Sequence, residues 1–471
     1  MVAGESPGVA MKIEFHGADR AVTGSCHLIE CAGTRVLIDC GLYQGGHELE
    51  EENAEDFGFD PATIDFVLLT HAHLDHCGRL PLLVKRGFHG AIVTTGASRE
   101  LLRLMLLDAA HLHEEEAQRR ARHAGRKGAQ GAAEPLYTIV DALHTLDFLG
   151  LTARYGIPLR LAPGIVATFL DAGHILGSAS IMLELLETGA RRRVLFSGDL
   201  GNVDRPLLRA PAAPPRVETV VMEATYGDRL HRPIGPSIEE LYQAITEAFQ
   251  RGGNVVIPSF ALERAQELLF FLRAGVESGR LPRTMQVFLD SPMAISATEI
   301  FARHPECYQP EIRRLFLEGR DPFALPGLRF TRETAESVAL NRVTGGAIII
   351  AGSGMCTGGR VRHHLRHNLN RHNCAIIFVG YAARGTLARR IIDGAESVTL
   401  FGEEIAVRAR IHTINGFSAH ADQAELLRWQ EETHAERTFL VHGEPDVMQK
   451  FAARLPAGVV EMPLLHQQYS L

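Results

Sequence analysis

Short runs of Val, Ile and Leu recur along the chain, and polar residues follow many of them. The ten clearest runs are at 35–41, 65–73, 194–199, 219–227, 254–260, 285–292, 347–354, 375–381, 410–420 and 438–444. Near-continuous apolar runs predict buried strands, and segment 265–279 has the spacing of a covering helix. The pattern therefore predicts an α/β fold. Ligand sites in such folds lie beyond one set of strand ends, where Gly, Asp, His and Glu follow the strands of this chain.

Two segments interrupt this pattern. Segment 206–216 (PLLRAPAAPPR) is Pro-rich and follows a strand, which is typical of a crossing between domains. Segment 110–135 is polar, first acidic and then basic, and poor in core residues. It predicts a solvated helix with a flexible tip, and the alternative is a helical arm beside a polyanion groove.

Composition narrows the class of protein. The 471 residues are 46% hydrophobic and 22% charged, which is typical of a folded globular chain. The net charge of −8 excludes a globally basic nucleic-acid binder, although a narrow cleft could still hold phosphates. No apolar run reaches the ~18–20 residues of a membrane span, and the start MVAGESPGVAMKIEF lacks the layout of a signal peptide. The seven Cys are dispersed and form no CxxC, so we expect a protein of the reducing cytoplasm with no membrane partner.

The strongest chemical signal is the hexapeptide HAHLDH, which directly follows the predicted strand DFVLLT. His71 and His73 point the same way along an extended strand end, because side chains alternate with a period of two. The chain then turns into a helix, which moves Asp75 and His76 to a neighbouring position. Two ligands for each of two metal ions is the arrangement that a dinuclear site requires.

One hexapeptide cannot complete two metal shells, so further ligands must come from distant segments. His174 in DAGHILGS and Asp199 in LFSGDLGN lie in Gly-containing turns, and His442 lies in FLVHGEPD. A carboxylate such as that of Asp199 can bridge two cations at the ~3.5–4 Å separation of two-metal hydrolases.

Together, these motifs resemble the metallo-β-lactamase superfamily, and Asp39 in LIDCG matches its first motif. The resemblance implies that Asp39 supports the His cluster from behind instead of binding metal, as ligand imidazoles need orienting partners.

Three further motifs resemble those of the β-CASP branch of this superfamily, whose members process nucleic acids. Glu223 in MEATYGDR, His420 in GFSAHAD and His442 in VHGEPD are similar to motifs A, B and C. The implied fold is a metallo-β-lactamase αββα sandwich with an inserted α/β β-CASP domain. We expect the first part of the sandwich at 11–205, the insert at 206–395 and the second part at 396–471.

The resemblance implies a zinc-dependent ribonuclease, a bacterial relative of the mRNA 3′-end processing endonuclease. Two adjacent cations would activate a hydroxide that hydrolyses RNA phosphodiester bonds, leaving 5′-phosphate and 3′-hydroxyl ends. One Zn²⁺ would bind His71, His73 and His174, the other Asp75, His76 and His442, and Asp199 would bridge them. Manganese or iron could occupy the same shell.

His420 is the candidate general acid for the leaving 3′ oxygen, and Glu223 would accept a hydrogen bond from its other ring nitrogen. Asp75 is counted with these catalytic residues as well as with the ligands. Loops after strands of the insert would hold substrate phosphates. The candidate substrate-binding residues are Ser259, Ser353, Gly354, Arg360, Arg384, Gly385 and Thr386.

Three alternative functions share the same motifs. A DNA-directed nuclease has the same fold, but in the family a His at motif C, here His442, favours RNA. A small-molecule metallohydrolase would have no use for a large insert over its cleft, and a non-catalytic scaffold would not need intact ligands. The expected partner is single-stranded RNA. A 5′-exonuclease component is compatible with these motifs, and apolar elements of the C-terminal segment could pair two chains into a homodimer.

Overall fold

The computed structural model describes residues 11–44, 51–126, 134–380, 382–456 and 458–471. The chain forms two compact units. The first contains the described part of Met1–Val203 together with Ala210–Leu230 and His420–Leu471. The second contains Asp204–Arg209 and His231–Ala419.

The strands of the described residues are numbered here in chain order. They are β1 (Lys12–Phe15), β2 (His27–Cys31), β3 (Thr34–Ile38), β4 (Phe66–Leu68), β5 (Ala91–Thr95), β6 (Leu149–Ala153), β7 (Leu159–Ala162), β8 (Ile165–Asp171), β9 (Ala179–Glu187), β10 (Ala190–Phe196), β11 (Thr219–Glu223), β12 (Val255–Pro258), β13 (Gln286–Asp290), β14 (Leu328–Phe330), β15 (Ala347–Ala351), β16 (Ala375–Val379), β17 (Ser397–Leu400), β18 (Glu403–Ala406), β19 (Arg410–Ile414), β20 (Arg437–Val441), β21 (Val459–Glu461) and β22 (Gln468–Ser470).

The α-helices of the same residues are numbered likewise. They are α1 (Leu74–Cys77), α2 (Leu80–Lys85), α3 (Gly96–Arg126), α4 (Ile139–Thr145), α5 (Ile234–Gln250), α6 (Arg264–Glu277), α7 (Pro292–Phe301), α8 (Pro310–Leu317), α9 (Thr334–Leu340), α10 (Val361–Asn368), α11 (Leu387–Ile392), α12 (Gln423–Thr433) and α13 (Pro445–Ala452).

Two seven-stranded mixed sheets form the first unit. One has the order β22-β1-β2-β3-β4-β5-β6, and the other has the order β21-β20-β11-β10-β9-β8-β7. In the first order, three antiparallel pairings are followed by three parallel ones. In the second, three parallel pairings are followed by three antiparallel ones. Alternation along β9 explains its two faces, because Ile181, Leu183 and Leu185 are buried while Leu186 faces outwards.

The main core of the first unit lies between these sheets. Phe15 and Ile38 of one sheet belong to the same buried cluster as Phe169, Phe196 and Phe439 of the other. On the outer face of the second sheet, α12 and α13 add a second cluster. On the first sheet, α3 contacts β5 and β6. Helices thus cover a pair of stacked sheets, and the predicted αββα sandwich is confirmed.

The second unit is built on a six-stranded, all-parallel sheet with the order β14-β13-β15-β12-β16-β19. Its central strands β12, β15 and β16 are buried along their whole length. This burial is expected of a parallel sheet that helices cover on both faces. A two-stranded antiparallel sheet of β17 and β18 completes the unit.

All ten strands that the apolar runs predicted are present, and the helix predicted over 265–279 is α6. The helix predicted within 110–135 is the end of α3, and 127–133 lie outside the described residues. The domain boundaries at 205 and 395 stay a prediction. In the structure β19 extends the parallel sheet, and residues up to Ala419 belong to the second unit. Among the described residues no helix combines the length and apolar character needed to cross a membrane.

Candidate metal centre

The hexapeptide 71–76 folds as a strand end followed by a single helical turn. His73 has extended backbone (φ −69°, ψ 147°) and precedes α1, which contains Asp75 and His76. The chain segment at Gly41 packs against this turn so closely that a Cβ there would lie 1.7 Å from the carbonyl oxygen of Asp75. Glycine is therefore required at residue 41 to keep the turn in place.

Three imidazoles and one carboxylate converge on a first point, and they are buried or partly buried. His71 Nε2 lies 3.1 Å from His73 Nδ1, and His174 Nε2 lies 3.3 Å from the same atom. Asp199 Oδ2 lies 3.5 Å from Nε2 of both His71 and His174.

A second group adjoins the first and contains Asp75, His76 and His442. His442 Nε2 lies 3.5 Å from Asp75 Oδ2. The other oxygen of Asp199, Oδ1, lies 3.3 Å from His76 Nε2 and 3.7 Å from His442 Nδ1. The carboxylate of Asp199 therefore faces one group with each oxygen.

The spacing and chemistry of these atoms fit metal binding. Two nitrogens bound to zinc at 2.0–2.1 Å in a tetrahedron lie roughly 3.3 Å apart, close to the separations found here. Three buried atoms of the cluster, His76 Nε2, Asp199 Oδ1 and His442 Nε2, make no hydrogen bond to any described residue. Buried polar atoms are seldom left in this way, so a cation is the partner that their environment suits.

Asp39 and Thr70 hold the cluster from behind. Asp39 Oδ2 accepts a hydrogen bond of 2.7 Å from His76 Nδ1, and Oδ1 accepts one of 2.8 Å from the backbone N–H of Thr70. Thr70 Oγ1 donates to Asp39 Oδ2 at 2.8 Å and lies 3.0 Å from His71 Nδ1. These bonds direct Nε2 of both rings towards the cluster. Sequence reasoning missed Thr70, whose only signal is its place between strand and hexapeptide.

Two residues of this centre have left-handed backbone that non-glycine residues rarely adopt. Asp39 has φ +61° and His442 has φ +49°. Such residues cluster at functional sites, because the surrounding fold must impose the conformation. The backbone N–H of His442 donates to the carbonyl of Ala18, and the Nδ1 atom of His442 lies 3.2 Å from Thr225 Oγ1.

Glu223 and His420 form a pair beside Asp199. Glu223 ends β11 and is buried, and its Oε2 lies 3.1 Å from His420 Nδ1. Glu223 Oε1 accepts a 2.6 Å hydrogen bond from the backbone N–H of Leu200, the residue after Asp199. The side chain of His420 is 21% exposed, so its ring reaches the surface of the site.

Protonation of these rings differs with their surroundings. Burial and the nearby His76 lower the pKa of His71 well below its usual value, and burial lowers the pKa of His73 to about 4. Both rings are therefore neutral at pH 7, the form that binds metal. Burial also opposes charge on His420, but Glu223 and Asp199 outweigh it and raise its pKa to about 9. His420 therefore carries a proton at neutral pH.

The predicted substrate-binding residues all lie in the second unit, at or just after the carboxyl ends of its strands. Ser259 follows β12 and is buried, with its hydroxyl bonded to the carbonyl of Phe260. Ser353 and Gly354 follow β15 and are partly exposed. Because β12 and β15 are neighbours in the sheet, these two loops share one edge.

Arg360 closes the loop 352–360, but its guanidinium already has protein partners. Nη1 bonds Asp290 Oδ1 and the carbonyl of Thr331, each at 2.8 Å, and Nη2 bonds the carbonyl of Arg332. His364 Nε2 lies 2.5 Å from the other oxygen of Asp290. These contacts favour a role for Arg360 in holding the loop in place, and they argue against direct contact of its guanidinium with a phosphate.

The last three candidates follow β16. Arg384 and Gly385 are exposed, and Gly385 has φ +81°. Thr386 caps α11, since its hydroxyl accepts a hydrogen bond from the N–H of Arg389. Arg384 is thus the predicted cation of this set that is most open to solvent.

Three family models match the chain in consecutive segments. The metallo-beta-lactamase superfamily matches residues 19–259, the Beta-Casp domain 265–391, and the Zn-dependent metallo-hydrolase RNA specificity domain 404–460. The matches come in the order that the sequence motifs predicted.

Similar proteins cover nearly the whole chain. A ribonuclease of Thermus thermophilus is 41% identical over 436 residues, which is 93% of this chain and 94% of that protein. A transcription termination factor of Methanocaldococcus jannaschii is 32% identical over 455 residues, which is 94% of this chain and 68% of that protein. A crystal structure of a protein of unknown function from Enterococcus faecalis V583 has a TM-score of 0.57 at 12% identity, covering 98% of this chain and 100% of that one, and supports the fold alone.

Half of the chain matches the superfamily model, a relative above 40% identity matches from end to end, and the buried His and Asp cluster could hold metal. The chain therefore belongs to the metallo-β-lactamase superfamily and carries a β-CASP domain.

Proposed function

We propose that this protein is a zinc-dependent ribonuclease that hydrolyses phosphodiester bonds of single-stranded RNA. The observation that carries the proposal is the Asp199 carboxylate, whose two oxygens each face a separate His-rich group. The similar ribonuclease of Thermus thermophilus and the matched RNA specificity model support RNA as the substrate.

The two groups would hold one Zn²⁺ each, with His71, His73 and His174 around one and Asp75, His76 and His442 around the other. Asp199 would bridge the pair. When bound, two zinc ions lower the pKa of a water and offset the negative charge of the phosphate. Manganese and iron accept the same ligand types and could occupy the same sites. The proposal is made for the purified protein loaded with zinc.

His420 supplies the proton that the leaving 3′ oxygen needs. Its Nδ1 faces Glu223, so Nε2 is the atom that donates the proton. Glu223 keeps the ring charged and also fixes the backbone beside Asp199. The products are a 5′-phosphate and a 3′-hydroxyl. A proton donor of this kind contributes about 10²–10⁴-fold to the rate.

The loops of the second unit supply the substrate contacts of this proposal. Ser353 and Gly354 offer a hydroxyl and backbone N–H groups, and Arg384 offers an exposed guanidinium near Gly385. Ser259 is buried, and its hydroxyl donates to the carbonyl of Phe260, so it would act by holding this loop. Arg360 and Thr386 would act through the loops that they hold.

The cellular setting belongs to the same proposal. All seven Cys are free and buried, which supports the reducing cytoplasm. Val459, Leu464 and Leu465 are about half exposed near the edge strand β21, which supports pairing of two chains there. Light scattering of the purified protein tests the homodimer directly.

Cleavage of matched RNA and DNA oligonucleotides of the same sequence tests the activity. With zinc present, the protein should cut the single-stranded RNA internally, while the His76→Ala variant should lose almost all activity. Preference for DNA would favour the alternative of a DNA-directed nuclease. Equal cleavage of RNA by the wild-type protein and by His76→Ala, or no cleavage by either, would contradict the proposal.

A further inference from the structure

Phe260 is one of the exposed aromatic residues of the second unit, together with Phe330 and Phe401. Its side chain is 48% exposed, whereas Phe271, Phe288, Phe301 and Phe323 are buried. It directly follows Ser259 at the carboxyl end of β12, the edge of a parallel sheet where ligands bind in α/β folds.

The ring of Phe260 is held by the loop that follows β15. A Cβ at Gly354 would lie 3.0 Å from Cε2 and 3.1 Å from Cδ2 of the ring. Glycine at residue 354 therefore lets the loop backbone press against the ring. Because the loop covers one side and half of the side chain stays exposed, Phe260 presents a fixed aromatic surface to solvent.

Small polar residues lie at the strand ends next to Phe260. A Cβ at Gly352 would lie 3.6 Å from Ser291 Oγ and 3.8 Å from the carbonyl of Ser259. The ends of β12, β13 and β15 thus meet in a glycine–serine edge, which we define as Ser259, Ser291 and residues 352–354. A single nucleic-acid strand requires two features side by side. Hydroxyl and backbone N–H donors can bind its phosphate, and an open aromatic surface can stack with its base.

We propose that Phe260 is a stacking platform for one nucleobase of single-stranded RNA, with the adjoining phosphate on the glycine–serine edge. This inference rests on the proposed ribonuclease function and assigns a base subsite to it. Stacking on an aromatic side chain tolerates every base, so the subsite contributes affinity without sequence preference.

Abasic scanning of an RNA oligonucleotide tests the subsite. In a short single-stranded RNA, one nucleotide at a time is replaced by an abasic residue, and kcat/KM is measured with the zinc-loaded full chain. In the wild-type enzyme, an abasic residue at one position of the RNA should lower kcat/KM roughly 10-fold, mainly by raising KM. Phe260→Ala should lose the same factor with intact RNA and show no further loss at that position, because the two changes remove one contact. Phe260→Trp should restore the penalty.

Phe401→Ala is the matched control, since Phe401 is 45% exposed in the same unit and packs on His363. It should leave the abasic profile unchanged. An undiminished abasic penalty in Phe260→Ala overturns the inference, and so does full recovery by Phe260→Leu, since an aliphatic side chain can fill the contact with Gly354 but offers no aromatic surface. If wild-type protein cleaves RNA, those results remove only the stacking role. If it neither binds nor cleaves RNA, the proposed function and this inference fail together.

Discussion

Replacing Asp39 with Asn should weaken one of the two proposed metal sites more than the other. The Asp39 carboxylate accepts hydrogen bonds from His76 Nδ1 at 2.7 Å and from Thr70 Oγ1 at 2.8 Å through the same oxygen, Oδ2. In Asp39→Asn, Oδ1 can keep the bond from the Thr70 backbone, which places the amide NH₂ against His76 Nδ1–H. Two donors then face each other.

The ring of His76 can relieve this clash by moving its proton to Nε2. That atom, 3.3 Å from Asp199 Oδ1, would then carry a hydrogen where a ligand lone pair is required. Loss of such orienting partners typically costs 10–100-fold in metal affinity, or about 1.4–2.7 kcal/mol. The group of His71 and His174 is linked to Asp39 only through Thr70, whose Oγ1 lies 3.0 Å from His71 Nδ1, and should lose less affinity.

Competition between the protein and a fluorescent zinc chelator measures both sites in one titration. Wild-type protein should bind two Zn²⁺, and Asp39→Asn should bind one with a smaller loss of affinity and the second 10–100-fold more weakly. Asp65→Asn is the control, because the Asp65 side chain bonds the backbone N–H of Arg35 and belongs to neither group of the metal centre. Two sites of wild-type affinity in Asp39→Asn, or equal weakening of both, would refute this reasoning.

Four further outcomes are expected. His420→Ala should lower kcat about 10²–10⁴-fold at unchanged zinc content, and a change confined to KM would contradict its role as acid. Since His420 must be protonated and its pKa is raised to about 9, kcat should fall as pH rises through about 9, and Glu223→Gln should shift this limb to lower pH; an unmoved limb would disprove the coupling. Burial alone would raise the pKa of Asp290, but hydrogen bonds led by that of His364 lower it to about 2, so the ionised carboxylate adds about 2 kcal/mol of stability that is lost as pH falls from about 4 to 2; urea unfolding should show this loss in wild type and not in Asp290→Asn. Zinc at a hundred times its Kd adds about 2.7 kcal/mol per site, so EDTA should lower Tm in wild type and about half as much in His71→Ala, which keeps the other site; equal shifts would argue against binding at that residue.

The metal cluster could be predicted from the sequence because its signal is local and dense. The hexapeptide follows β4 of one sheet. His174, Asp199 and His442 follow β8, β10 and β20 of the other, so the stacking of the two sheets brings them to it. Thr70 gave no comparable signal, because a threonine at a strand end is ordinary until its partners are known. Its contacts with Asp39 depend on the parallel pairing of β3 with β4.

Arg360 illustrates the opposite outcome. In the sequence it closes a glycine-rich turn that is typical of anion binding, while Asp290 lies in LDSP with no sign of a partner. The two meet because β13 and β15 are neighbours in the sheet, a non-local pairing that no sequence window contains. The strand β9 was not predicted for a different reason, because Ser180 and Glu184 interrupt its apolar residues, so it lacks the continuous run that predicted the other strands.

The pairing of β1 with β22, and the arrival of His442 beside the hexapeptide, join early and late parts of the chain. During synthesis at roughly 5–20 residues per second, His76 precedes His442 by about 20–70 s. Throughout that interval β1 has an unpaired edge, and the second ligand group lacks a member. The second ligand group is therefore complete only after most of the chain has been made, so assembly of the whole centre is a late event in folding.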